Sequence, residues 1–343
     1  MSSDDGLGDR RAMPVAPILV LIVNYRTAGL TLQAVEAILP EVRARGDAEI
    51  CIVDNGSGDG SAEQLAQGVT KLGADGCCRL IALPDNQGFA AGNNAGLRAY
   101  RERAEGAGLP HFIWLLNPDT VARPNALTAL VDFMDSQPDA GLAGGRCLRP
   151  DGSIRHSAFR FHSPLSELLC ELDFGPLRKR LGRFDVALPL SDEPYRAEWL
   201  SGSSLMIRGA VFERIGLFDS GYFLYFEETD FCARAADAGF EAWHVPDSVI
   251  VHLGGQATGF TEACPKRRPR YWFASRARFF LRRHGVAATH LANLLWLVAH
   301  PLGRLIAAVR GRPRHDPPRL WLDFLTYHYG PGGLMYRPSK VAA

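Results

Sequence analysis

Four short apolar runs without polar alternation stand in the first third of the chain: Ile18-Leu-Val-Leu-Ile-Val23, Ile50-Cys-Ile-Val53, Arg79-Leu-Ile-Ala-Leu83 and Phe112-Ile-Trp-Leu-Leu116. A strand wetted on one face alternates apolar and polar residues. A run that does not alternate is buried on both faces, as inside a parallel sheet. Amphipathic stretches over residues 31–45, 61–71 and 90–103 lie between the runs, each long enough for a crossover helix. The order β-α-β-α-β-α-β therefore predicts a doubly wound α/β layer. A further helix is expected over 124–136, then a loop-rich region over 143–199 with Asp151-Gly152 as a hairpin turn. A strand at Ser204–Arg208 and a helix at Gly209–Ile215 follow.

In such sheets ligands bind beyond the carboxyl ends of the strands, so the residues that close each run matter most. Asn117-Pro118-Asp119 closes the fourth run. It reads either as a turn or as an oxygen-donor site for a divalent cation carrying a nucleotide diphosphate. Val53-Asp54-Asn55-Gly56-Ser57 closes the second. Asp54 can accept from a nucleobase imide or a ribose hydroxyl, or the segment is a simple strand–turn–helix junction. Asp85-Asn86-Gln87-Gly88-Phe89-Ala90-Ala91-Gly92-Asn93-Asn94 closes the third. Its small residues would let a helix N-terminus approach an anion, or they form a permissive loop. The first run ends in Asn24-Tyr25-Arg26-Thr27 with no GxGxxG, which weighs against a dinucleotide fold.

A second acidic centre lies in Tyr222-Phe-Leu-Tyr-Phe-Glu227-Glu228-Thr229-Asp230. Crowded carboxylates among aromatics raise one another's pKa by desolvation and repulsion, which suits a general base. Acidic residues at a helix N-terminus are the plainer reading, but they leave the aromatics unexplained. His252 follows a β-branched stretch and is either structural or a neutral-imidazole metal ligand beside Asp119.

Charge and cysteine usage narrow the partners. A formal net charge of +1 over 343 residues gives no global field for nucleic acid. Seven cysteines without a CxxC pair, and no apolar signal core over 1–17, read as reduced thiols in the cytoplasm. Residues 1–16 are expected to be a disordered leader, 17–265 the catalytic domain and 266–343 a basic, aromatic helical extension. Within that extension, 291–298 and 302–309 are apolar but are interrupted by His300, Pro301 and Arg304. A span needs about 20 apolar residues. The expectation is therefore helices packed on the catalytic domain, or peripheral attachment to the cytoplasmic membrane face with Arg276, Arg278, Arg282 and Arg283 at anionic head groups.

In order along the chain, Ile22-Val-Asn-Tyr25, Val53-Asp-Asn-Gly-Ser57, Asn86-Gln-Gly-Phe-Ala-Ala-Gly-Asn-Asn94, Leu116-Asn-Pro-Asp-Thr120, Leu200-Ser-Gly-Ser-Ser-Leu-Met-Ile-Arg208, Phe218-Asp219, Tyr225-Phe-Glu-Glu-Thr-Asp-Phe-Cys-Ala-Arg234 and His252-Leu-Gly-Gly255 resemble the motifs of the family 2 glycosyltransferases. The set covers about residues 17–260 and is most similar to bacterial rhamnosyltransferase-like members. The resemblance implies a GT-A fold, the mostly parallel α/β sheet of nucleotide-diphospho-sugar transferases, followed here by a C-terminal helical extension. It implies an inverting enzyme that uses Mg²⁺ or Mn²⁺ to move a sugar, L-rhamnose from dTDP-L-rhamnose as the first choice. The acceptor would be a hydroxyl of a lipid-linked saccharide or a cell-envelope polysaccharide.

Carried over by position, Asp54 becomes the nucleobase contact, Asn117 and Asp119 a variant DxD, and His252 a further metal ligand. Glu228 becomes the general base, with Glu227 and Asp230 as alternatives. The donor site would draw on Asn24, Asp54, Asn55, Asn86, Gly88, Asn94 and Asn117. Two departures stand out: Glu228 stands where Asp is common, and Asn117 removes one anionic ligand. A nucleotidyltransferase would share the sheet and the acidic site but lacks a basic Gly-rich turn here. A non-catalytic sugar-binding or assembly subunit would not need the carboxylates at 227–230.

Overall fold

The computed structural model describes residues 16–105, 108–254, 266–312 and 316–331. Nearly all of the expected leader, together with Gly255 and Cys264, lies outside them. The four apolar runs form β1 (Ile18–Asn24), β2 (Ala48–Asp54), β3 (Cys78–Ala82) and β4 (Phe112–Leu116). They are linked by α1 (Ala28–Arg45), α2 (Ser61–Lys71) and α3 (Phe89–Arg103). Every residue of β1 and β2 is buried, and the reason is two-sided packing. Ile18, Val20 and Ile22 join one core layer, while Leu19, Leu21 and Val23 join the layer on the opposite face.

The chain continues through β5 (Thr120–Ala122), α4 (Ala126–Ser136) and β6 (Ala140–Leu148), which hairpins into β7 (Ile154–Arg155). Asp151-Gly152 makes that turn, with Gly152 at φ 83°. Next come β8 (Ala158–Phe159), α5 (Pro164–Leu172), α6 (Gly175–Leu181), β9 (Tyr195–Ala197) and β10 (Trp199–Leu200). The α/β part of the chain ends with β11 (Ser204–Arg208), α7 (Gly209–Ile215), α8 (Glu227–Asp237) and β12 (Glu241–His252).

The main sheet has the order β3-β2-β1-β4-β11-β6-β12-β5. The first four strands run parallel. β11 inserts antiparallel between β4 and β6, and β12 runs parallel to β6 and antiparallel to β5. Two registers set up the site. Asn24 pairs with Asp54 across β1 and β2, and His252 pairs with Thr120, the residue after Asp119.

The small residues of α3 serve the sheet as well as its N-terminus. A Cβ at Gly92 would lie 2.8 Å from a Val23 methyl, and one at Gly96 would lie 2.4 Å from a Leu21 methyl. The helix therefore rides directly on β1, so its small residues serve helix–strand packing.

The extension is α9 (Arg270–Val309), followed by α10 (Leu320–Tyr329). Gly285 breaks α9 with φ 76° and ψ 177°, so it is two arms. In the first arm Arg276 is 1% exposed and bonds Glu167 at 2.8 Å and Asn293 at 2.7 Å. Arg278 and Arg282 meet Asp219, and Arg283 meets Asp237. The expectation that these four arginines face lipid head groups is thus overturned. Each finds a carboxylate in the preceding domain, and together they fasten the arm to it.

The second arm turns Ala292, Trp296, Ala299 and Gly303 inward. His300 Nδ1 lies 2.8 Å from Glu171 on the packed face, half-buried Arg304 reaches the same carboxylate, and Pro301 is exposed. Outward, Leu291, Leu294, Val298, Leu302, Leu305 and Val309 recur every three or four residues, 46–81% exposed. Among the described residues α9 is the one helix long and apolar enough to cross a membrane, and only a third of its most apolar window is buried.

Candidate functional site

The carboxyl end of β1 fixes the carboxyl end of β2. Asn24, fully buried, donates to Asp54 at 2.7 Å and accepts from the Thr27 amide and the Thr31 hydroxyl. Ser57 donates to the same Asp54 oxygen from its hydroxyl, and its amide approaches the other at 3.3 Å. Three donors therefore fix the orientation of the Asp54 carboxylate. Arg26, with φ 57°, closes the turn by bonding Ser57 from its amide and its guanidinium. Neither Ser57 nor Arg26 stood out as a site residue in the sequence, because only the three-dimensional turn brings them to Asp54.

The third strand end is braced against the second. Asn55 donates to Asn86 at 3.1 Å and to the Gly88 carbonyl at 3.0 Å, while its own side-chain oxygen is buried without a partner. Gly88 has φ 93°, and a Cβ there would lie 2.2 Å from the Phe223 carbonyl. The Phe89 amide donates to that same carbonyl. The loop at 86–89 is thus clamped to the loop that leads into α8.

Two expected donor contacts are corrected by these bonds. Asn24 has both side-chain atoms occupied by protein partners. Asn94, 1% exposed, binds the Phe218 amide and carbonyl at 3.0 and 2.8 Å. Both hold the crevice walls in place and are not free to meet a ligand.

At the end of β4 the Asn117 amide donates to Ser203, and its carbonyl accepts from the Thr120 hydroxyl. Asp119, 5% exposed, comes within 3.0 Å of His252 Nε2 through its Oδ1. The β12–β5 pairing makes this contact, and the Leu253 amide seals it on the Asp119 carbonyl. Burial pushes the His252 imidazole pKa down, but the bond and charge of Asp119 outweigh burial and bring it up to about 9. A divalent cation would take the place of the proton that Asp119 favours on Nε2, with the carboxylate oxygen and the freed imidazole nitrogen at adjoining strand ends as its ligands. Among the described residues no group of three or more His, Cys, Asp or Glu forms a complete ligand cage. The remaining positions would belong to substrate oxygens and water.

The acidic centre opens α8. Tyr225 and Phe226 both adopt left-handed backbone, φ 72° and 68°, immediately before it. Such strain in bulky residues persists only where the surroundings enforce it, and it aims the residues that follow. Glu227 is 3% exposed and one of its oxygens has no partner. Burial first, then the neighbouring Glu228 charge, holds its carboxyl well above the usual range. Glu228 is half-buried, with one oxygen likewise unpartnered. Burial raises its pKa, opposed by the Gly202 amide and the nearby His162.

Asp230 differs from both. Tyr222, Arg234 and Arg282 all reach it. Its oxygens are occupied, which removes it as an alternative base. The charge of His162 reaches Glu228, and the His162 ring lies 5.3 Å from Phe226 and 6.0 Å from Trp199, which itself stacks on Phe159 at 4.2 Å. Sequence reading passed over this aromatic wall because its members lie on three separate segments.

Residues 19–169 match the model of the glycosyl transferase family 2, and residues 112–329 that of glycosyl transferase family group 2. Over 223 residues the chain is 30% identical to N-acetylglucosaminyl-diphospho-decaprenol L-rhamnosyltransferase of Mycobacterium tuberculosis, covering 61% of this chain and 68% of that protein. It is 24% identical over 275 residues to dTDP-rhamnosyl transferase RfbF of Shigella flexneri, covering 78% and 81%. In structure it is similar to the mannosyltransferase PcManGT from Pyrobaculum calidifontis in complex with GDP-Man and Mn²⁺. The TM-score there is 0.51 at 17% identity, over 87% of this chain and 77% of that one.

Proposed function

Given that the chain belongs to the family 2 glycosyltransferases, with a GT-A fold and rhamnosyltransferases among its relatives, we propose that it transfers L-rhamnose from dTDP-L-rhamnose to a hydroxyl of a lipid-linked saccharide, with inversion. The observation that carries this reading is the Glu227–Glu228 pair, one buried and one half-buried carboxylate with an unpartnered oxygen each, near the aromatic group of His162, Trp199 and Phe226. Glu228 is the base because it is the more accessible of the two. Burial, then the neighbouring Glu228 charge, raises the Glu227 carboxyl pKa, which disfavours a second charge on the pair.

In the transfer step Glu228 takes the proton of the acceptor hydroxyl. The acceptor oxygen forms a bond to the anomeric carbon from the face opposite the diphosphate. The bond from that carbon to the diphosphate oxygen breaks in the same displacement, releasing the nucleoside diphosphate. Asp54, fixed by Asn24 and Ser57, binds the nucleobase or ribose, while Asn86 and Gly88 shape the wall beside the sugar. Asn117 lies at the diphosphate without adding charge. Asp119 and His252 would hold Mg²⁺ or Mn²⁺, which offsets charge on the departing diphosphate when bound.

A lipid-linked acceptor places the reaction at a membrane, and the mycobacterial relative is named for a saccharide on diphospho-decaprenol. The outward stripe of α9 supports peripheral contact with the cytoplasmic membrane face. A panel of nucleotide sugars incubated with Mn²⁺ tests the proposal. Release of nucleoside diphosphate is expected fastest from dTDP-L-rhamnose, and no release from any donor would refute it.

A further inference from the structure

Between the start of α9 and α10 lies a cleft of about 510 Å³, and none of its residues takes part in the site described above. Arg267, Arg268, Arg270, Phe273, Asp323 and Tyr327 line it. Asp323 accepts two bonds from Arg267 at 2.7 Å each. Arg268 lies over the Trp272 ring at 5.3 Å and Arg270 over the Tyr327 ring at 5.5 Å. The contrast with the rest of α9 is informative. Arg276, Arg278, Arg282 and Arg283 all end on carboxylates, whereas Arg270 faces only an aromatic ring among the described residues.

The placement is also unfavourable without an anion. The peptide dipoles leave partial positive charge at a helix N-terminus, where cations are disfavoured. The first turn of α9 nonetheless holds no acidic residue and begins with an arginine. A cleft that concentrates cations at such a point fits an anionic group carried by a ligand.

The position of the cleft identifies which ligand. Tyr271, one residue beyond Arg270, packs its ring 5.1 Å from Phe223 and 6.3 Å from Tyr225. Ser275 donates to the Leu224 carbonyl at 2.9 Å. The loop so gripped leads directly into Glu227 and Glu228. The same loop is held by Gly88 and Phe89 through the Phe223 carbonyl. The helix that opens the cleft therefore also grips the loop leading into the base. We propose that the cleft binds the phosphate or diphosphate group that joins the acceptor saccharide to its lipid. This inference rests on the transferase reading above and adds the acceptor's second anchoring point.

The test uses the full chain and two variants, Arg270→Gln and Arg270→Lys. Binding of farnesyl diphosphate in detergent micelles is measured with dTDP and Mn²⁺ in excess, so that the donor site is filled. Loss of one charge-assisted bond is expected to weaken farnesyl diphosphate about tenfold or more in Arg270→Gln. Arg270→Lys, which keeps the charge, should recover most of that. Release of nucleoside diphosphate from the donor without acceptor should be the same in all three proteins, and sedimentation with phosphatidylglycerol vesicles should not change. Unchanged farnesyl diphosphate binding in Arg270→Gln overturns the proposal. So does a loss confined to the vesicles, which would make the cleft a headgroup site. Failure of the wild type to turn over any donor would instead count against the transferase reading, and the binding comparison is independent of that outcome.

Discussion

Gly88→Ala tests whether the donor loop and the base loop are mechanically one unit. The glycine has φ 93° and ψ 171°, a combination that alanine reaches only under strain of about 1–3 kcal/mol. The added Cβ would fall 2.2 Å from the Phe223 carbonyl oxygen and 2.7 Å from its Cα. These are backbone atoms, so no side-chain rotation relieves the clash, and overpacking of this kind costs about 1–3 kcal/mol more. Together the loss is about 2–6 kcal/mol, against a total stability of about 5–15 kcal/mol for a domain. The chain can reduce that cost by pushing the Phe223 loop away. That loop carries Glu227 and Glu228, and a shift of about 1 Å at a reacting group costs about a hundredfold in rate. Urea unfolding and donor turnover are measured on the same sample. The expected result is a clearly lowered urea midpoint, or a near-normal midpoint with turnover down about a hundredfold. A variant within about 1 kcal/mol of wild type that keeps its full rate would refute the coupling.

Three further outcomes follow from other parts of the molecule. Arg276→Ala strands the buried Glu167 carboxylate, which Arg276 and His162 hold down to about 2 against the upward push of burial; a loss of about 3–5 kcal/mol in chemical unfolding is expected. His328 is fully buried with neither ring nitrogen bonded, and burial, then the Arg276 charge, depress its pKa from 6.5 to about 3. A depressed histidine binds its proton more readily when unfolded, so its contribution is complete above about pH 6.5 and is lost as pH falls toward 3. Melting curves from pH 7.5 to 4 should show His328→Leu flattening that slope. The double variant Leu294→Glu with Leu305→Glu, at positions 55% and 62% exposed, should leave stability within about 0.5 kcal/mol. It should abolish sedimentation with phosphatidylglycerol vesicles, and retained sedimentation would show that the stripe is not the membrane contact.

The parts of the fold that could be read in advance are those where local pattern and tertiary role agree. β1 to β4 are apolar because they are buried on both faces, and their closing residues sit at the crevice because the strands are parallel. β6 could not be read this way: Ala140–Leu148 lacks β-branched residues. Its Gly144 and Gly145 are small because Leu200, Ser204 and Ser248 press against them, which only the folded chain reveals. The basic run after 266 was misread for a similar reason. The carboxylate partners of Arg276, Arg278, Arg282 and Arg283 lie 46 to 109 positions earlier in the chain, so composition showed their charge but not its neutralisation. Within the site, Asp119 and His252 were legible as strand-end residues. The roles of Asn24 and Asn94 were not, because an amide that binds a ligand and one that binds Phe218 look alike in a sequence. Asp230 is the same case, its partners Tyr222, Arg234 and Arg282 being set by the packing of α8 against α9.

The assignment of Glu228 as the base is tested most directly by comparing Glu228→Gln with Glu227→Gln in a transfer assay, using dTDP-L-rhamnose, Mn²⁺ and a prenyl-diphosphate-linked acceptor. Removing a general base costs about 10²- to 10⁴-fold in kcat. Glu228→Gln should fall in that range with the KM for the donor unchanged. Glu227→Gln replaces a buried carboxyl whose charged form burial disfavours and should stay within a few-fold of wild type. Full activity in Glu228→Gln, or the larger loss in Glu227→Gln, would contradict the assignment.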